Sequence, residues 1–555
     1  MNRVFKTKWS VAHQEYVVTD EKHTTKTKTA KSAVALAVAA LMLGAGVASA
    51  AYMDPGFVAK NSTQLEQAKK SWETAEYQKD WGLAAMNAST AYALGYHGQN
   101  TAVAVMDSGA LLQKHPELAG DRFHASHATG VYGSTGNRYQ TGVPGVGDAF
   151  GNGDYTEGEA FDVDGNWVGH VNDTHGTHVT GTVGANRDGS EFHGVSWGSD
   201  IWVGTTGGTD NTNYGPFQDY NFFYAGWKAL ADNLVAANGA ERGGVINNSF
   251  GTNLRVNEGG TSLPTNTTAQ TEYEYFLFKQ VYGDKKSFVD AAWDAVKGTN
   301  VVQVFTTGNR NMDMPYYRPL YPYFNPEAEQ NWIAVAGLQI DYTYYYDEDG
   351  KRQKKYNYGT DGKYKYKWVD GFNQAGNAKW WTVVAPGDAI YSSVVYDDHY
   401  EATSDEHPLG APGYASYGGT SMAAPHVSGA MGVLMSRYMD MNAIQVRDVM
   451  FTTANHYNTD GSKFEGWTAA DGTPDEIYGW GVPDLDKGMY GPGQFLGKFD
   501  YNMSNTALDV WTNDISQVAL DARKAEDKAW MEATKDGTDL SAEYELGEGN
   551  KIPNI

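Results

Sequence analysis

The sequence predicts an α/β fold built on a doubly wound, mostly parallel β-sheet with β-rich insertions. Apolar runs such as "TAVAVM" (101–106), "VVQVF" (301–305) and "WIAVAGL" (332–338) are continuous rather than alternating. Continuous runs indicate strands that are covered on both faces, as in a parallel sheet. Helical patterns lie between them, for example over 288–299 and 421–439. Strands that alternate with helices in this way place functional groups at the carboxyl ends of the strands.

Composition limits the class of protein. The chain has 555 residues, of which 41% are hydrophobic and 13% aromatic, so it is long enough for one large or two ordinary globular domains. Its net charge of −25 argues against nucleic acid or an anionic membrane surface as a partner. It contains no cysteine, which excludes disulfides, cysteine metal sites and a thiol nucleophile.

Residues 1–50 have the pattern of an extended secretory signal peptide. Lysines precede an apolar run of 15 residues (33–47), shorter than the ~20 residues of a membrane-spanning helix, and the small residues "ASA" (48–50) follow it. The long opening "MNRVFKTKWSVAHQEYVV" resembles the signal-peptide region of autotransporters. Cleavage after Ala50 removes seven basic and three acidic residues, so the mature chain carries −25 − 4 = −29. We expect export to the periplasm, the cell surface or the medium of a Gram-negative bacterium, with no membrane span in the mature chain.

The rest of the chain divides into three segments. Residues 51–80 are polar with one helical pattern, residues 81–490 hold the predicted strands and helices, and residues 491–555 form a tail. One stretch, 340–369, interrupts the α/β rhythm with eight tyrosines and seven lysines or arginines between turn signals. It predicts an inserted β-meander. Its tyrosines either pack on the host domain or form an exposed surface for an acidic substrate or partner.

The segment "NDTHGTHVTGTVGA" (172–185) holds two histidines three residues apart, His175 and His178. Such a pair on a helix face could bind a metal ion. Alternatively, His175 is a general base at a helix start, with small residues behind it for close packing. A metal pair requires a third ligand and usually a Glu beside the first His, where Gly176 stands instead. The sequence therefore favours the general base.

Three other polar residues stand where predicted strands or helices begin or end. Asp107 ends a buried strand, Asn309 follows another, and Ser421 lies just before a helix, with Pro425 expected in the first turn. A serine hydroxyl is a weak nucleophile until an imidazole takes its proton, and the imidazole needs an anion to hold its orientation. The resulting oxyanion needs preorganised donors. These residues and His175 provide one group for each task.

The segments that carry these residues resemble, in order, the signature segments of the subtilisin-like serine peptidases, the subtilase family. They are "VAVMDSG", "HGTHVTGTVGA", "INNSFG", "TTGN" and "GGTSMAAPHVSGA". The resemblance implies a subtilisin-like fold in which Asp107 orients the base His175, Ser421 is the nucleophile and Asn309 is the side-chain oxyanion donor. It also implies that Ser249, Phe250 and Gly251 bind the substrate backbone, and that His178 is structural.

A narrower resemblance is to the passenger peptidases of autotransporters. "KSWETAEYQKDWGLAAMNASTAYALGYHGQN" and "DVWTNDIS" carry it, among other segments. It implies that residues 491–555 lead toward a stalk and a barrel that this sequence does not contain. The expected function is an exported serine endopeptidase that cleaves protein or peptide substrates through an acyl-enzyme. The alternative is a surface adhesin or binding module on a peptidase scaffold.

Two acidic stretches, "DVDGNW" (162–167) and "DEDGK" (347–351), resemble pieces of calcium loops but lack the full ligand spacing. We interpret both as plain turns and expect no metal site and no cofactor, with calcium as the weaker alternative. The oligomeric state is left open.

Overall fold

The computed structural model describes residues 56–137, 154–207, 219–250, 285–348, 350–397 and 400–491, together with a few short strands outside these ranges. The predicted signal-peptide core, Gly251 and most of the tail lie outside the described residues. The chain divides into two units, Met1–Asp54 and Pro55–Ile555. In the first unit, strands β1 and β2 form an antiparallel pair in which Phe5 lies opposite Asp20.

An eight-stranded sheet is the framework of the second unit. Seven of its strands follow the order β15-β12-β11-β10-β3-β9-β4, and β16 pairs with β12 off this path. All of these pairs are parallel except β12 with β15. The prediction of a mostly parallel sheet is therefore confirmed. The described strands are β1 Phe5–Ser10, β2 Glu15–Asp20, β3 Ala102–Asp107, β4 Phe123–Ala125, β5 His127–Val131, β6 Gly136–Asn137, β7 Asp154–Tyr155, β8 Ala160–Asp164, β9 Asp200–Thr205, β10 Gly244–Asn248, β11 Val301–Thr306, β12 Trp332–Ile340, β13 Tyr342–Tyr346, β14 Arg352–Tyr356, β15 Tyr366–Trp368, β16 Thr382–Pro386, β17 Ile390–Val395, β18 Pro412–Tyr417, β19 Glu545–Leu546 and β20 Asn550–Lys551.

Helices connect the strands, and side-chain caps begin several of them. Asn61, Asp80, Asp219, Ser287 and Asn442 each accept a hydrogen bond from a backbone N–H of the first helical turn, which satisfies a donor without an intrahelical partner. The described α-helices are α1 Ser62–Trp72, α2 Trp81–Ala85, α3 Ala88–Ala93, α4 His175–Gly184, α5 Tyr220–Asn238, α6 Phe288–Asp294, α7 Tyr317–Phe324, α8 Thr420–Arg437, α9 Ala443–Thr453 and α10 Leu485–Tyr490.

Both faces of the sheet are covered by helices, as a doubly wound fold requires. Asn247 and Asn248 are adjacent in β10, so their side chains point to opposite faces. Asn247 accepts a hydrogen bond from Ser428 of α8, and Asn248 accepts one from Trp227 of α5. Helices α5 and α8 therefore lie on opposite faces, and the strands between them are fully buried, which explains their continuous apolar runs.

The helical segment before β3 packs into the same core as the sheet. The side chains of Ala68, Trp72 and Tyr77 are buried in the main hydrophobic core. The ring of Trp72 stacks on that of Trp197 at 5.8 Å between centroids, and its indole N–H donates to the carbonyl oxygen of Phe57. This segment therefore contributes to the packed unit that carries the site.

The tyrosine-rich stretch forms an antiparallel hairpin of β13 and β14, followed by β15. Strand β15 pairs with β12 at the edge of the main sheet rather than with β14, so the three strands do not make a continuous meander. Six tyrosines of this stretch expose 38–71% of their surface, so most of them are accessible at the surface.

No helix within the described ranges has both the length and the apolar character required to cross a bilayer.

Candidate active site

The carboxylate of Asp107 and the imidazole of His175 form a buried hydrogen-bonded pair. Asp107 is the last residue of β3 and is fully buried, and His175 is the first residue of α4. Asp107 Oδ1 lies 2.8 Å from His175 Nδ1, and it also accepts a hydrogen bond from the backbone N–H of Ser108. Because a carboxylate only accepts, Nδ1 of His175 carries the hydrogen and Nε2 is the nitrogen available to take a proton.

Glycine beside His175 permits the close approach of α4 to the end of β3. A Cβ on Gly176 would lie 2.2 Å from the carbonyl oxygen of Gly109, a distance that no side chain can occupy. Gly109 has a φ of 88°, which favours glycine at the turn after β3. The backbone N–H of Gly176 donates to Ser108 Oγ at 2.9 Å and fixes this approach.

His178 lies in the core. Its Nε2 donates to the carbonyl oxygen of Ile390 at 3.1 Å, and its ring stacks on Tyr417 at 4.5 Å between centroids. Burial, reinforced by the charge of His175, lowers the pKa of His178 to about 3, which keeps it neutral. Among the described residues, no three or more His, Asp or Glu side chains form a group that could hold a metal ion.

Ser421 is the second residue of α8, and a reciprocal pair of hydrogen bonds joins it to Ser249. Ser421 Oγ donates to the carbonyl oxygen of Ser249, and Ser249 Oγ donates to the carbonyl oxygen of Ser421, both at 2.8 Å. Pro425 explains why the second bond is possible: it lacks the N–H that would bond the carbonyl four residues earlier, that of Ser421. Helix α8 begins at Thr420, so Pro425 lies in the second helical turn. The sequence-based expectation that Pro425 lies in the first turn is therefore wrong.

His175, Ser421 and Asn309 meet at one cleft, and Asp107 is connected to it through its hydrogen bond to His175. The cleft has a volume of about 450 Å³, and His175, Ser421 and Asn309 all line it. Among the described residues, the hydrogen bond that Ser421 Oγ donates ends on Ser249 and not on His175. The structure therefore places base and hydroxyl in one cleft.

The side-chain amide of Asn309 has a fixed orientation. Its Oδ1 accepts hydrogen bonds from the backbone N–H and the hydroxyl of Thr420, both at 2.9 Å. Since a backbone N–H can only donate, Oδ1 must face Thr420, and the amide Nδ2 is left to donate elsewhere. The backbone N–H of Ser421, in the first turn of α8, likewise has no intrahelical acceptor. The orienting role of Thr420 is not evident from the sequence, although Thr420 directly precedes Ser421.

Ser249 and Phe250 follow the end of β10 and line the same cleft. Both are buried, and the carbonyl oxygen of Phe250 accepts a hydrogen bond from Arg318. Gly251, the third residue of this predicted substrate-binding segment, lies outside the described residues.

A second buried histidine–carboxylate pair supports α8 and was not predicted from the sequence. His426 Nε2 lies 2.9 Å from Asp80 Oδ2, and His426 Nδ1 lies 2.7 Å from the carbonyl oxygen of Met422. Carbonyl and carboxylate oxygens both accept, so both ring nitrogens donate and the ring is an imidazolium. Burial alone would lower the pKa of His426, but the charge and hydrogen bond of Asp80 outweigh it and raise the pKa above 6.5.

The two calcium-like stretches have turn contacts. Asp164 Oδ1 accepts from the backbone N–H of Asn166, and Asp347 accepts from the backbone N–H of Lys351, each at 2.8 Å. Asp162 contacts His127 at 2.6 Å. These contacts engage the carboxylates within the fold, and Asp349 lies outside the described residues.

The sequence profile of the subtilase family, peptidase family S8, matches residues 98–481 of the chain. The chain belongs to the subtilase family. The match spans the ends of β3, β10 and β11 and the start of α8, where the cleft residues lie.

Relatives of this subtilase include secreted and autotransported proteins. It is 28% identical to an extracellular serine protease of Serratia marcescens over 481 residues, covering 81% of this chain and 37% of that protein. It is 26% identical over 285 residues to the autotransporter lipoprotein NalP of Neisseria meningitidis serogroup B, covering 49% of this chain and 23% of that protein. The chain thus spans about a third or less of the length of these relatives.

Among solved structures, the crystal structure of fervidolysin from Fervidobacterium pennivorans, described as a keratinolytic enzyme related to subtilisin, matches with a TM-score of 0.41 and 24% identity. That match covers 80% of this chain and 49% of fervidolysin.

Proposed function

We propose that this subtilase is an exported serine endopeptidase that hydrolyses peptide bonds through an acyl-enzyme. The observation that carries the proposal is the Asp107–His175 hydrogen bond at the edge of a cleft that Ser421 and Asn309 also line. This arrangement places an oriented base, a hydroxyl and an amide donor in one cleft, and these are the groups that acyl transfer requires.

Each residue has one task in the proposed reaction. His175 Nε2 takes the proton of Ser421 Oγ as the oxygen attacks the scissile carbonyl carbon, while Asp107 holds the ring and stabilises its positive charge. The carbonyl oxygen becomes an oxyanion, to which Asn309 Nδ2 and the backbone N–H of Ser421 donate. His175 then protonates the leaving amine, and an acyl-enzyme remains on Ser421. Water, activated by His175, hydrolyses the ester and restores the hydroxyl.

The first step requires a change at Ser421. Its hydroxyl donates to the carbonyl oxygen of Ser249 in the structure, and the hydrogen must rotate toward His175 before the proton can pass. Catalytic hydrogen bonds are often long or misdirected in the absence of substrate and form in the complex. The bond from Ser249 Oγ to the carbonyl of Ser421 does not involve the nucleophilic oxygen, so the helix start stays fixed during this rotation.

Export is the second part of the proposal. Residues 1–50 have the pattern of a signal peptide, and the relatives described above include an extracellular protease and an autotransporter. The proposed destination is the periplasm, the cell surface or the medium. The proposed substrates are proteins or peptides, and Ser249, Phe250 and Gly251 form the segment that pairs with their backbone.

The direct test is cleavage of an unbiased peptide library by the purified full chain, with cleavage sites read by mass spectrometry. We expect cleavage at internal peptide bonds that ends when Ser421 is replaced by alanine. A parent chain that binds proteins but cleaves none of the library would contradict the proposal and favour a binding module.

A further inference from the structure

The hairpin of β13 and β14 carries a strip of aromatic side chains on one of its two faces. In an antiparallel pair, opposite residues and every second residue along a strand share a face. Tyr342 lies opposite Tyr356, Tyr344 opposite Lys354, and Tyr346 opposite Arg352. These six residues, which we name the tyrosine strip, therefore lie on one face: Tyr342, Tyr344, Tyr346, Arg352, Lys354 and Tyr356.

The strip is an unusual part of the surface. Tyr344 and Tyr346 expose 49% and 71% of their surface, whereas most aromatic rings of the described chain are packed in the core. Arg352 lies over the ring of Tyr344 at 4.1 Å, and Lys354 lies over that of Tyr342 at 3.9 Å. Exposed tyrosines ordered by stacked cations are the side chains that protein interfaces use as anchors.

The strip begins at the rim of the catalytic cleft. Lys354 Nζ lies 3.3 Å from Asp388 Oδ2, and a Cβ on Gly418, which lines the cleft, would lie 3.5 Å from Asp388 Oδ1. The neighbouring Gly387 accepts a hydrogen bond from the backbone N–H of Gly419 at 2.8 Å. The strip therefore lies beside the cleft through Lys354 and Asp388. From Tyr342 to Tyr346 it is about 13 Å long.

Aromatic surface, rather than charge, indicates which ligand the strip fits. The hairpin from 342 to 356 holds four lysines or arginines against three aspartates or glutamates, and Lys354 is paired with Asp388, so its net charge is close to zero. Tyrosine rings offer large apolar faces for contact. An extended polypeptide with apolar side chains therefore matches the strip.

We propose that the tyrosine strip is a docking site for a segment of the protein substrate that lies outside the cleft, and that it selects extended apolar segments. This inference rests on the proposed endopeptidase function. The strip makes no contact with the reacting atoms, so it contributes to KM for long substrates and leaves the chemical step unchanged.

Two tyrosines of β13 provide a matched pair for the test. Tyr344 is in the strip, whereas Tyr345 points to the opposite face with the same exposed fraction of 49%. The full chain with Tyr344→Ala or Tyr345→Ala is compared with the parent on three peptides that share one cleaved sequence. The first peptide is short. The second carries about ten additional residues of alternating Phe and Ser before the cleaved sequence, and the third carries them after it.

We expect Tyr344→Ala to raise KM about three- to tenfold for one extended peptide, with kcat unchanged and the short peptide unaffected. Tyr345→Ala should leave KM unchanged for all three peptides.

Equal effects of Tyr344→Ala and Tyr345→Ala, or no effect of Tyr344→Ala on either extended peptide, would overturn the docking site but not the peptidase. A parent dimer that Tyr344→Ala dissociates in sedimentation would show a second copy as the occupant and would also overturn it. Failure of the parent to cleave the short peptide would contradict the proposed function itself.

Discussion

The start of α8 and the hairpin of β13 and β14 both lie beside the catalytic cleft, yet they are built in opposite ways. At the start of α8, Ser421, Thr420 and His426 are held by hydrogen bonds to Ser249, Asn309 and Asp80. In the hairpin, Tyr344 and Tyr346 are exposed, and Tyr344 contacts the stacked Arg352 and the ring and hydroxyl of Tyr342. The difference separates two requirements: reacting groups need fixed positions, whereas a surface that meets varied substrates needs accessible area.

Removing the amide of Asn309 should have the largest effect among the supporting residues. Asn309→Leu should lower kcat by about 10²–10³ with little change in KM, the range measured for the oxyanion donor of subtilisin, the type enzyme of this family. Steady-state kinetics on a short peptide measure this.

Thr420→Val is the graded control. It removes one of the two hydrogen bonds that orient Asn309 and keeps the backbone bond, so its loss of kcat should be smaller. A tenfold rise in KM with kcat intact in Asn309→Leu would instead identify Asn309 as a residue that binds the ground state.

The buried pair beneath α8 predicts a smaller effect, mainly on stability. Asp80→Ala removes the partner of a buried imidazolium and should lower the free energy of unfolding by about 3–5 kcal/mol. Asp80→Asn retains the N-cap acceptor for Gly82 and lets a neutral His426 accept through Nε2, so its loss should be about 1 kcal/mol. Denaturant unfolding of both variants measures the difference, and equal losses would exclude an ion pair.

The same pair predicts a pH dependence with a defined sign. The pKa of His426 is raised in the folded chain, so the stabilisation is complete below the unfolded value of 6.5 and is lost as the pH rises through the folded pKa. The titratable groups that face Asp80 and His426 include Tyr92, His178 and His193. Stability should fall above pH 6.5 in the parent more than in Asp80→Asn. Parallel pH profiles of the two proteins would contradict this.

Much of this architecture could be predicted because it depends on local patterns. Continuous apolar runs predicted the parallel strands, and Asp107 ends one of them as expected. The cleft residues were predicted from short segments whose residue types each suit one chemical task.

Other features depend on distant pairs that no local pattern reveals. Asp80 and His426 are 346 positions apart, and only the fold brings them together. The hydrogen bond from Ser249 Oγ to the carbonyl oxygen of Ser421 is possible because Pro425 lies in the second helical turn. The sequence did not predict this bond because it placed Pro425 in the first turn. The sequence did not predict whether the hairpin tyrosines are exposed, because an alternating pattern does not show which face of the hairpin contacts the host domain.

The central claim is that Asp107, His175 and Ser421 act as one unit, and the kinetics of Ser421→Ala, His175→Ala and the double variant test it most directly. Each single substitution should lower kcat by roughly 10⁶, the magnitude measured for subtilisin. The kcat of the double variant should be little lower than that of either single variant. Substantial peptidase activity in Ser421→Ala, or a loss in the double variant equal to the product of the two single losses, would contradict the account.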